Sequence, residues 1–482
     1  MTAYASVHDV VVVGAGLFGA AIARECTLRD LDVAIVERHE VAGGASSVGK
    51  VLLGGGSSIF GTASPDHQSL SVLAPHLVTQ IILEGATEGD GIACIVDVTR
   101  LAQLYVVDAV ERGATLLLGV EVVGSEESAR GCRPGNSPDS PPNESHEGHE
   151  SQEGHEGHEG HEDRVIRREV RLADGRVLGA GTLVLATGVD CPTIAGISSV
   201  STRSIRTLDV ATVTVGTGRA VDELISYPTG SATRVVLPTV DEEVAQGALG
   251  RFGLEGLPVL ASAVHTVAVP DEGRRDGAPG LVHVTESAPG AHLSISAYLA
   301  ETFARSAGKD PAKLPSLTPL PGCAPAAGGP SAALAERWGI PELSLNGLFA
   351  RHGARARTVL SRAGATPSER AQVCACEAVL ECEVRYACRS LGARSIDDVS
   401  RRTGLGRGAC GGLRCAHRAA EIVRAEVGPP GQSPREASLQ FAADLFQGRA
   451  PFLRAEDLAR EEVQLARQVV AGLVDIVEPE ES

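Results

Sequence analysis

Apolar residues follow two different periods along the first forty positions of the chain. Residues 10–13 form an uninterrupted apolar run, which suits a buried parallel strand. Residues 20–28 have helical spacing, and residues 32–37 have the pattern of a second strand. Strand, helix and strand in this order predict an α/β fold that begins with a parallel sheet.

The turn between the first strand and the helix carries three glycines. Gly14, Gly16 and Gly19 have the G-x-G-x-x-G spacing of dinucleotide-binding turns. Gly14 permits a tight turn, Gly16 lets the backbone approach a pyrophosphate, and Gly19 lets helix and strand pack closely. Glu37 ends the second strand, 23 residues after Gly14, where it can accept hydrogen bonds from a ribose. We predict a dinucleotide site here rather than a fortuitous turn in an unrelated α/β domain.

A second element favours FAD over NAD as the dinucleotide. Residues 175–190 form a short strand, a turn, and a strand that ends in Ala186-Thr187-Gly188. FAD-binding folds of the two-dinucleotide-binding-domain type commonly return to the cofactor with such a turn. Because glycine lets the backbone approach a ligand, Gly188 is a candidate FAD contact.

A low-complexity stretch interrupts two strand-like pieces. Residues 137–163 are rich in histidine, glutamate and glycine and contain five of the fourteen histidines, His146, His149, His155, His158 and His161. A histidine-rich metal tract is one interpretation. We favour the other, a solvated and disordered insertion over 133–163 within a hairpin, because nothing in it can bury a core.

Residues 200–320 carry weaker signals. Alternating stretches such as ATVTVG, TRVVLPTV and HTVAVP predict an antiparallel sheet that covers a flavin and forms a substrate pocket. No catalytic constellation can be located there by spacing. His265 and His352 are candidate acid–base groups, but a lone histidine more often has a structural role.

Cysteines dominate the pattern after residue 366. Two pairs, Cys374-x-Cys376 and Cys410-x4-Cys415, lie in short segments separated by 33 residues. Glycines surround the second pair, and small residues let backbone N–H groups approach cluster sulfurs. Four thiolates can hold an iron–sulfur cluster, and zinc would satisfy the same ligands. In a chain with a flavin site, the cluster is the better interpretation.

Two further cysteines lie between the pairs, in a segment with helical spacing. Cys382 and Cys388 are six residues apart, so a helix separates them by about 240° of rotation. Because they do not share a face, we predict that they are small buried apolar residues rather than ligands. A short helix is predicted within residues 395–406, with Ser395 or Asp397 as its N-cap.

Composition narrows the classes of protein that fit. The 482 residues are 43% apolar, which is enough for about three domains. The net charge of −18 disfavours nucleic acid and anionic membranes as general partners. We find neither a signal-peptide pattern nor an apolar run of about eighteen residues, so we expect a cytoplasmic protein. Structural disulfides are rare there, so eleven cysteines indicate metal or redox chemistry.

The cysteine-rich segment also resembles a known module. VCACEAVLECEVRYACRSL, continued by DDVSRRTGLGRGACGGLRCAHRAA, resembles the [2Fe–2S] domain related to bacterioferritin-associated ferredoxin. It is most similar to the version in the A subunit of anaerobic glycerol-3-phosphate dehydrogenase. IVDVTRLAQLYVVDAVERGATLL, LFARHGARARTVL and FLRAEDLAREEVQLARQVVAGLVDI resemble further segments of that family.

The resemblance implies an FAD-dependent enzyme that oxidises sn-glycerol 3-phosphate to dihydroxyacetone phosphate. Electrons would pass through a [2Fe–2S] cluster on Cys374, Cys376, Cys410 and Cys415 towards quinone. The implied partners are a small-molecule substrate and other dehydrogenase subunits, including a membrane-associated electron acceptor. The implied location is the cytoplasm, with attachment to the inner face of the membrane through those subunits.

Patterns and resemblance together predict an α/β fold in five segments. A Rossmann-like FAD domain is followed by an antiparallel substrate or cap region, a helical linker, a small α-rich iron–sulfur domain and a C-terminal helical segment. We call the iron–sulfur domain the cysteine module. The predicted boundaries are, in order, 1–199, 200–320, 321–370, 371–425 and 426–482.

The resemblance is incomplete near the predicted flavin and substrate. Ser46 and Ser47 match a serine-rich turn of the family and are candidate cofactor ligands. Leucine and serines within 53–58 stand where the family has His, Arg and Tyr, and an arginine there would suit a substrate phosphate. Residues 284–300 keep only part of a flavin turn. Two alternatives stay open: an FAD and iron–sulfur amine or amino-acid dehydrogenase, and a non-catalytic electron-transfer paralogue.

Overall fold

The computed structural model describes the chain in a series of stretches. They comprise residues 4–44, 46, 50–54, 67–82, 92–127, 167–188, 205–215, 225–229, 232–237, 259–270, 280–284, 292–323, 330–362, 366–408, 410–428, 433–449 and a few positions from 459 to 466. The predicted insertion at 133–163, Ser47 and most of the chain after 449 lie outside these residues.

The described strands begin within the first ten residues and continue into the cysteine module. They are β1 (Ser6–Val13), β2 (Val33–Glu37), β3 (Lys50–Gly54), β4 (Val78–Ile82), β5 (Ile92–Asp97), β6 (Thr115–Leu118), β7 (Val122–Glu127), β8 (Arg168–Leu172), β9 (Val177–Leu185), β10 (Ile205–Val215), β11 (Ile225–Thr229), β12 (Ala232–Leu237), β13 (Val259–Pro270), β14 (Leu281–His283), β15 (Gln372–Cys374) and β16 (Val379–Leu380).

The described α-helices concentrate in the second half of the chain. Besides a short helix at His67–Leu73, which carries no label, they are α1 (Leu17–Thr27), α2 (Val98–Glu111), α3 (His292–Ser306), α4 (Ala332–Trp338), α5 (Glu342–His352), α6 (Ala356–Arg362), α7 (Glu381–Leu391), α8 (Ile396–Thr403), α9 (Ala416–Val427) and α10 (Pro434–Arg449).

The largest sheet has seven strands and places the glycine turn at its switch point. Its order is β6-β2-β1-β9-β8-β7, with β14 paired to the C-terminal part of β9. The pairs β1–β2, β1–β9, β2–β6 and β9–β14 are parallel, whereas β8 and β7 continue the sheet antiparallel. Since β2 and β9 flank β1 on opposite sides, the turn after β1 lies where ligands usually bind in such sheets.

The apolar run of β1 is buried because both faces of the strand are covered. Val10 and Val12 join the core formed with α1, α2 and α3, while Val11 and Val13 join a second core on the other face. This arrangement explains why the strand has no polar alternation. The α/β fold predicted from the sequence is confirmed.

Two smaller sheets are antiparallel. Strands β11-β12-β10-β13 form one, and β3-β5-β4 form the other. The first falls within residues 200–320, where the alternating pattern predicts an antiparallel sheet. The described backbone agrees with that prediction.

The cysteine module is mainly helical and has its own apolar core. Val384, Val399 and Ala419 come from three successive helices, α7, α8 and α9, and pack together with Cys374 and Cys415. The Ser395 side chain accepts the Asp398 N–H and begins α8, so Ser395 rather than Asp397 is the N-cap. Within the described residues, no helix is long and apolar enough to cross a membrane.

Candidate functional site

The glycine turn, residues 14–19, is packed so tightly that two of its glycines cannot carry a side chain. Gly14 has φ +100°, and a Cβ there would lie 2.5 Å from the Ala186 carbonyl oxygen. A Cβ on Gly19 would overlap the Gly14 carbonyl oxygen. Both contacts match the roles predicted for these positions, a tight turn and close packing of helix on strand.

Gly16 is less crowded than the other two glycines of the turn. It precedes α1 in extended conformation and has no side chain of its own to cap the helix, and an added Cβ would meet only Ser46 Oγ, at 3.3 Å. Ser46 Oγ accepts the Leu17 N–H at 2.9 Å, and the Ser46 carbonyl accepts Thr99 Oγ1 at 2.7 Å. Ser46 therefore lies at the N-terminus of α1, where the helix dipole favours phosphate.

Glu37 is held against the same turn. Its Oε2 accepts the Ala15 N–H at 2.8 Å and its Oε1 accepts the His39 N–H at 2.9 Å. The remaining lone pairs of both oxygens are available to ribose hydroxyls. Gly188 has φ +60°, and nothing lies within 4 Å of where a Cβ would stand, so the strand returning to the turn also leaves room for a ligand. These residues fit FAD.

The four cysteines predicted as ligands come together in the cysteine module. Cys374 contacts Cys415, Cys415 contacts Cys410, and Cys410 contacts Cys376, each through side-chain sulfur. Cys374 and Cys415 are buried, whereas Cys376 is exposed and Cys410 is half-buried. The four side chains thus form one group, with two members inside the module and two nearer its surface.

Backbone amides surround these sulfurs. The Gly406 and Glu377 N–H groups donate to Cys374, and the Arg414 and Gly412 N–H groups donate to Cys410. The hydrogen bond from Cys415, with those amides, lowers the pKa of Cys374 to about 6 and that of Cys410 to about 5. Thiolates are the metal-binding form of cysteine, so Cys374 and Cys410 are prepared to bind metal. The other two thiols are not, because hydrogen bonds to Cys374 and Cys410 raise the pKa of Cys415 and burial raises that of Cys376.

Glycine also sets the shape of the second cysteine loop. A Cβ on Gly408 would overlap Cys376, and Cβ atoms on Gly406 and Gly412 would come within 2.6 Å and 2.7 Å of the Phe441 ring. Among the described residues, no three His, Cys, Asp or Glu side chains surround one ion position.

Two family models match the regions that carry these features. Residues 9–87 match FAD dependent oxidoreductase, and residues 316–430 match the C-terminal domain of alpha-glycerophosphate oxidase. The first match contains the glycine turn, and the second contains the cysteine module and the predicted linker before it.

Known proteins are similar over nearly the whole chain. The A subunit of anaerobic glycerol-3-phosphate dehydrogenase from Escherichia coli (strain K12) is 25% identical over 96% of both chains. The A subunit from Haemophilus influenzae is 27% identical over 41% of this chain and 34% of its own. The glycerol-3-phosphate dehydrogenase of Bacillus halodurans, solved with FAD, has the same fold, with a TM-score of 0.63 and 14% identity over 98% of this chain and 96% of its own.

The chain is an FAD-dependent oxidoreductase similar to glycerol-3-phosphate dehydrogenase.

The other two cysteines of the cysteine module lie apart from the group of four. Cys382 packs in a core with Leu345 and Tyr386, and Cys388 packs against the main core of the module. Burial raises the pKa of Cys382 to about 12 and that of Cys388 to about 11, as expected for packing residues.

A buried carboxylate joins the cysteine module to α5 of the oxidoreductase. Arg351 Nε donates to Glu383 Oε2 at 2.6 Å, and His352 Nε2 lies 3.0 Å from the same oxygen. These three side chains are at most 8% exposed. Burial opposes ionisation, but the Arg351 charge and the hydrogen bonds from His352 and Arg351 outweigh it and lower the pKa of Glu383 to about 2. No sequence motif links positions so far apart, so this network could not be predicted.

The network gives His352 a structural role. Besides Glu383, its ring meets the Tyr386 ring edge-on, with 5.5 Å between centroids. Burial lowers the pKa of His352. A buried imidazole held by a carboxylate fixes the end of α5, in agreement with the structural role expected of a lone histidine. The side chain of His265 lies outside the described residues.

A nearby cysteine–histidine pair does not have the charge state of a nucleophile. Cys323 Sγ lies 3.4 Å from His76 Nδ1. Burial raises the pKa of Cys323 to about 12, whereas burial and the charges of Arg100 and His352 lower the pKa of His76 to about 4. A thiolate–imidazolium pair needs the opposite shifts, so both groups are neutral and structural.

Proposed function

We propose that this oxidoreductase oxidises sn-glycerol 3-phosphate to dihydroxyacetone phosphate and passes the electrons through a [2Fe–2S] cluster towards quinone. The observation that carries the proposal is the group of four neighbouring cysteines in a chain that also has a dinucleotide turn. The similarity to the A subunit of anaerobic glycerol-3-phosphate dehydrogenase, over 96% of both chains, supports the choice of substrate.

The residues of the turn would hold and orient the cofactor. Ser46 accepts the Leu17 N–H, and the next N–H groups of α1 would bind the pyrophosphate, beside Gly16 and the neighbouring Ser47. Glu37 would accept hydrogen bonds from the adenosine ribose. Gly14 and Gly19 keep the turn tight, and Gly188 leaves room for the cofactor.

The chemistry balances with two cofactors of different electron capacity. Oxidation of the C2 alcohol removes a hydride from carbon and a proton from oxygen, and bound FAD supplies the hydride acceptor. An iron–sulfur cluster on Cys374, Cys376, Cys410 and Cys415 would carry the two electrons onward one at a time. The amides around Cys374 and Cys410 would stabilise the charge on those sulfurs.

A second candidate function is supported by the departures within residues 53–58. Strand β3 ends inside this stretch, and its leucine and serines offer no guanidinium for a substrate phosphate. An FAD-linked amine or amino-acid dehydrogenase would not need that group. A non-catalytic electron-transfer subunit is the remaining alternative.

The proposal includes partners and a location. Similarity to one subunit of a larger dehydrogenase implies further subunits, one of which would accept electrons at the membrane. The chain would then lie in the cytoplasm, attached to the inner face of the membrane through such a partner. Purification of the complex from native membranes, followed by identification of co-purified subunits, tests this part.

The substrate is tested by visible spectroscopy of the purified, anaerobic protein. Addition of glycerol 3-phosphate should bleach the flavin band and produce one dihydroxyacetone phosphate per flavin reduced. If an amine or amino acid bleaches the flavin band and glycerol 3-phosphate does not, the substrate is an amine or amino acid instead. A flavin that none of these compounds reduces, but that dithionite does, would favour the electron-transfer role.

A further inference from the structure

One ion pair links the cysteine module to the loop beside the glycine turn. Arg402 Nη2 donates to Glu40 Oε2, although 362 residues separate them in the sequence. The two side chains are 1% and 12% exposed. Arg402 also donates from Nε to the Leu391 carbonyl at 2.9 Å and from Nη1 to the Asp398 carbonyl at 3.0 Å. One guanidinium therefore holds the end of α7, the start of α8 and Glu40 together.

Glu40 lies on the loop that continues from the ribose-side carboxylate. This loop is bonded to the glycine turn twice: the Ala42 N–H donates to the Ala15 carbonyl at 3.0 Å, and the Ala15 N–H donates to Glu37. The Gly43 N–H closes the loop on the Glu40 carbonyl at 3.0 Å. A displacement of Glu40 is thus transmitted to the backbone that would contact FAD.

On the other side, Arg402 lies close in sequence to the cysteine ligands. Helix α8 ends at Thr403, and Gly404 caps it in left-handed conformation with φ +79°. Two residues later the Gly406 N–H donates to Cys374. The path from Glu40 to a proposed cluster ligand therefore runs through one side-chain pair and one short turn.

A second contact reaches the same turn from the FAD domain. Arg100 Nη2 lies 3.9 Å from the position of a Cβ on Gly404. Arg100 is in the first turn of α2, next to Thr99, whose hydroxyl donates to the Ser46 carbonyl. Ser46 in turn accepts the first N–H of α1. The glycine turn is thereby connected to the end of α8 by two routes, one through Glu40 and Arg402 and the other through Ser46 and Arg100.

We propose that the Glu40–Arg402 ion pair couples FAD binding to the docking of the cysteine module, so that each stabilises the other. FAD would fix the glycine turn and hence Glu40, and Glu40 would fix Arg402 and the end of α8. Coupling between two sites is reciprocal, so loss of the pair should weaken FAD binding and also stop FAD from ordering the module. The inference depends on neither the substrate nor the metal.

The test uses the full chain with Glu40→Gln, which removes the charge but keeps the shape of the side chain. We expect the dissociation constant for FAD, measured by flavin fluorescence on apoprotein, to rise about tenfold. Hydrogen exchange of residues 396–408 should slow when FAD binds to the unmodified protein, and this protection should disappear in the variant. Thermal unfolding of both apoproteins checks that the variant is folded.

A matched control is Glu126→Gln, because Glu126 pairs with Arg171 on an exposed surface of the same domain. It should leave both measurements unchanged. The proposal is overturned if Glu40→Gln binds FAD within twofold of the unmodified protein. It is also overturned if affinity falls but FAD still protects 396–408, since Glu40 would then act on the glycine turn alone. If Glu40→Gln does not fold, Arg402→Lys, which keeps the charge but loses the three-way contact, is measured in the same way.

Discussion

The glycine turn and the cysteine module are built by different means. The turn uses backbone groups from one contiguous stretch, in which Gly14 and Gly19 exclude side chains and Glu37 is bonded to Ala15. The module uses side chains from two loops separated by 33 residues, which meet only because three helices pack between and around them. The local site depends mainly on neighbouring residues, with the Glu40–Arg402 pair as its proposed link to the module, whereas the assembled site depends on the packing of a whole module.

The largest effect is expected from Gly16→Val at the local site. A branched side chain would press against Ser46 Oγ and stand where the pyrophosphate should approach the backbone. The purified variant should be folded but lack the flavin absorption band. Gly44→Val is the control, because a Cβ at Gly44 meets nothing within 4 Å. If Gly16→Val binds a full complement of flavin, this turn is not the FAD site.

The assembled site is tested by comparing a predicted ligand with a packing cysteine. Cys410→Ser should abolish the paramagnetic signal of the reduced cluster, because one of the four thiolates is lost. Cys382→Ala should keep that signal and cost about 1 kcal/mol of stability, since it deletes a buried sulfur. Electron paramagnetic resonance and denaturant unfolding measure the two effects. If Cys382→Ala loses the signal and Cys410→Ser keeps it, the assignment of ligand and packing cysteine is wrong. If the anaerobically prepared protein contains zinc in place of iron, the module cannot transfer electrons.

The pH dependence of stability should reveal His76, which lies beside Cys323. Burial, Arg100 and His352 lower its folded pKa to about 4 from an ordinary value of 6.5, while Asp97 opposes this. The folded state therefore resists protonation, so stability is complete above pH 6.5 and falls by up to about 3 kcal/mol as the pH drops to 4. His76→Asn should flatten this part of the profile, measured by urea unfolding.

His417→Asn provides the comparison for that experiment, because its imidazole is 63% exposed and lies on the surface of α9. It should reproduce the profile of the unmodified protein. An unchanged profile in His76→Asn would show that other groups control stability in this range. Glu383 would then be studied at lower pH, because its depressed pKa adds a loss of stability as the pH falls from 4.5 to 2.

The smallest effect is expected from deletion of residues 140–162. Their composition offers almost no apolar surface, so the deletion should change FAD content and the midpoint of thermal unfolding very little. Flavin absorbance and calorimetry measure this. A large loss of flavin would mean that the stretch supports one of the two sites.

The sequence predicts the local site better than the connections between sites. Contiguous spacing is enough for Gly14, Gly16, Gly19 and Glu37, because a strand–turn–helix unit is specified by neighbouring residues. The convergence of the cysteine pairs also follows from their number and spacing. The Glu40–Arg402 pair and the Glu383 network do not, because ion pairs between distant elements depend on tertiary packing, which leaves no periodic signal in the sequence.

The aromatic ring of Phe441 has a consequence for the handling of this protein in air. It is 2% exposed and lies on Gly406 and Gly412, so α10 covers one side of the loop that carries Cys410 and Cys415. A chain shortened to end at Gly428 would lack this cover. Water and dissolved oxygen would then reach the thiols from a second side, and the proposed cluster should lose its colour in air sooner than in the full chain.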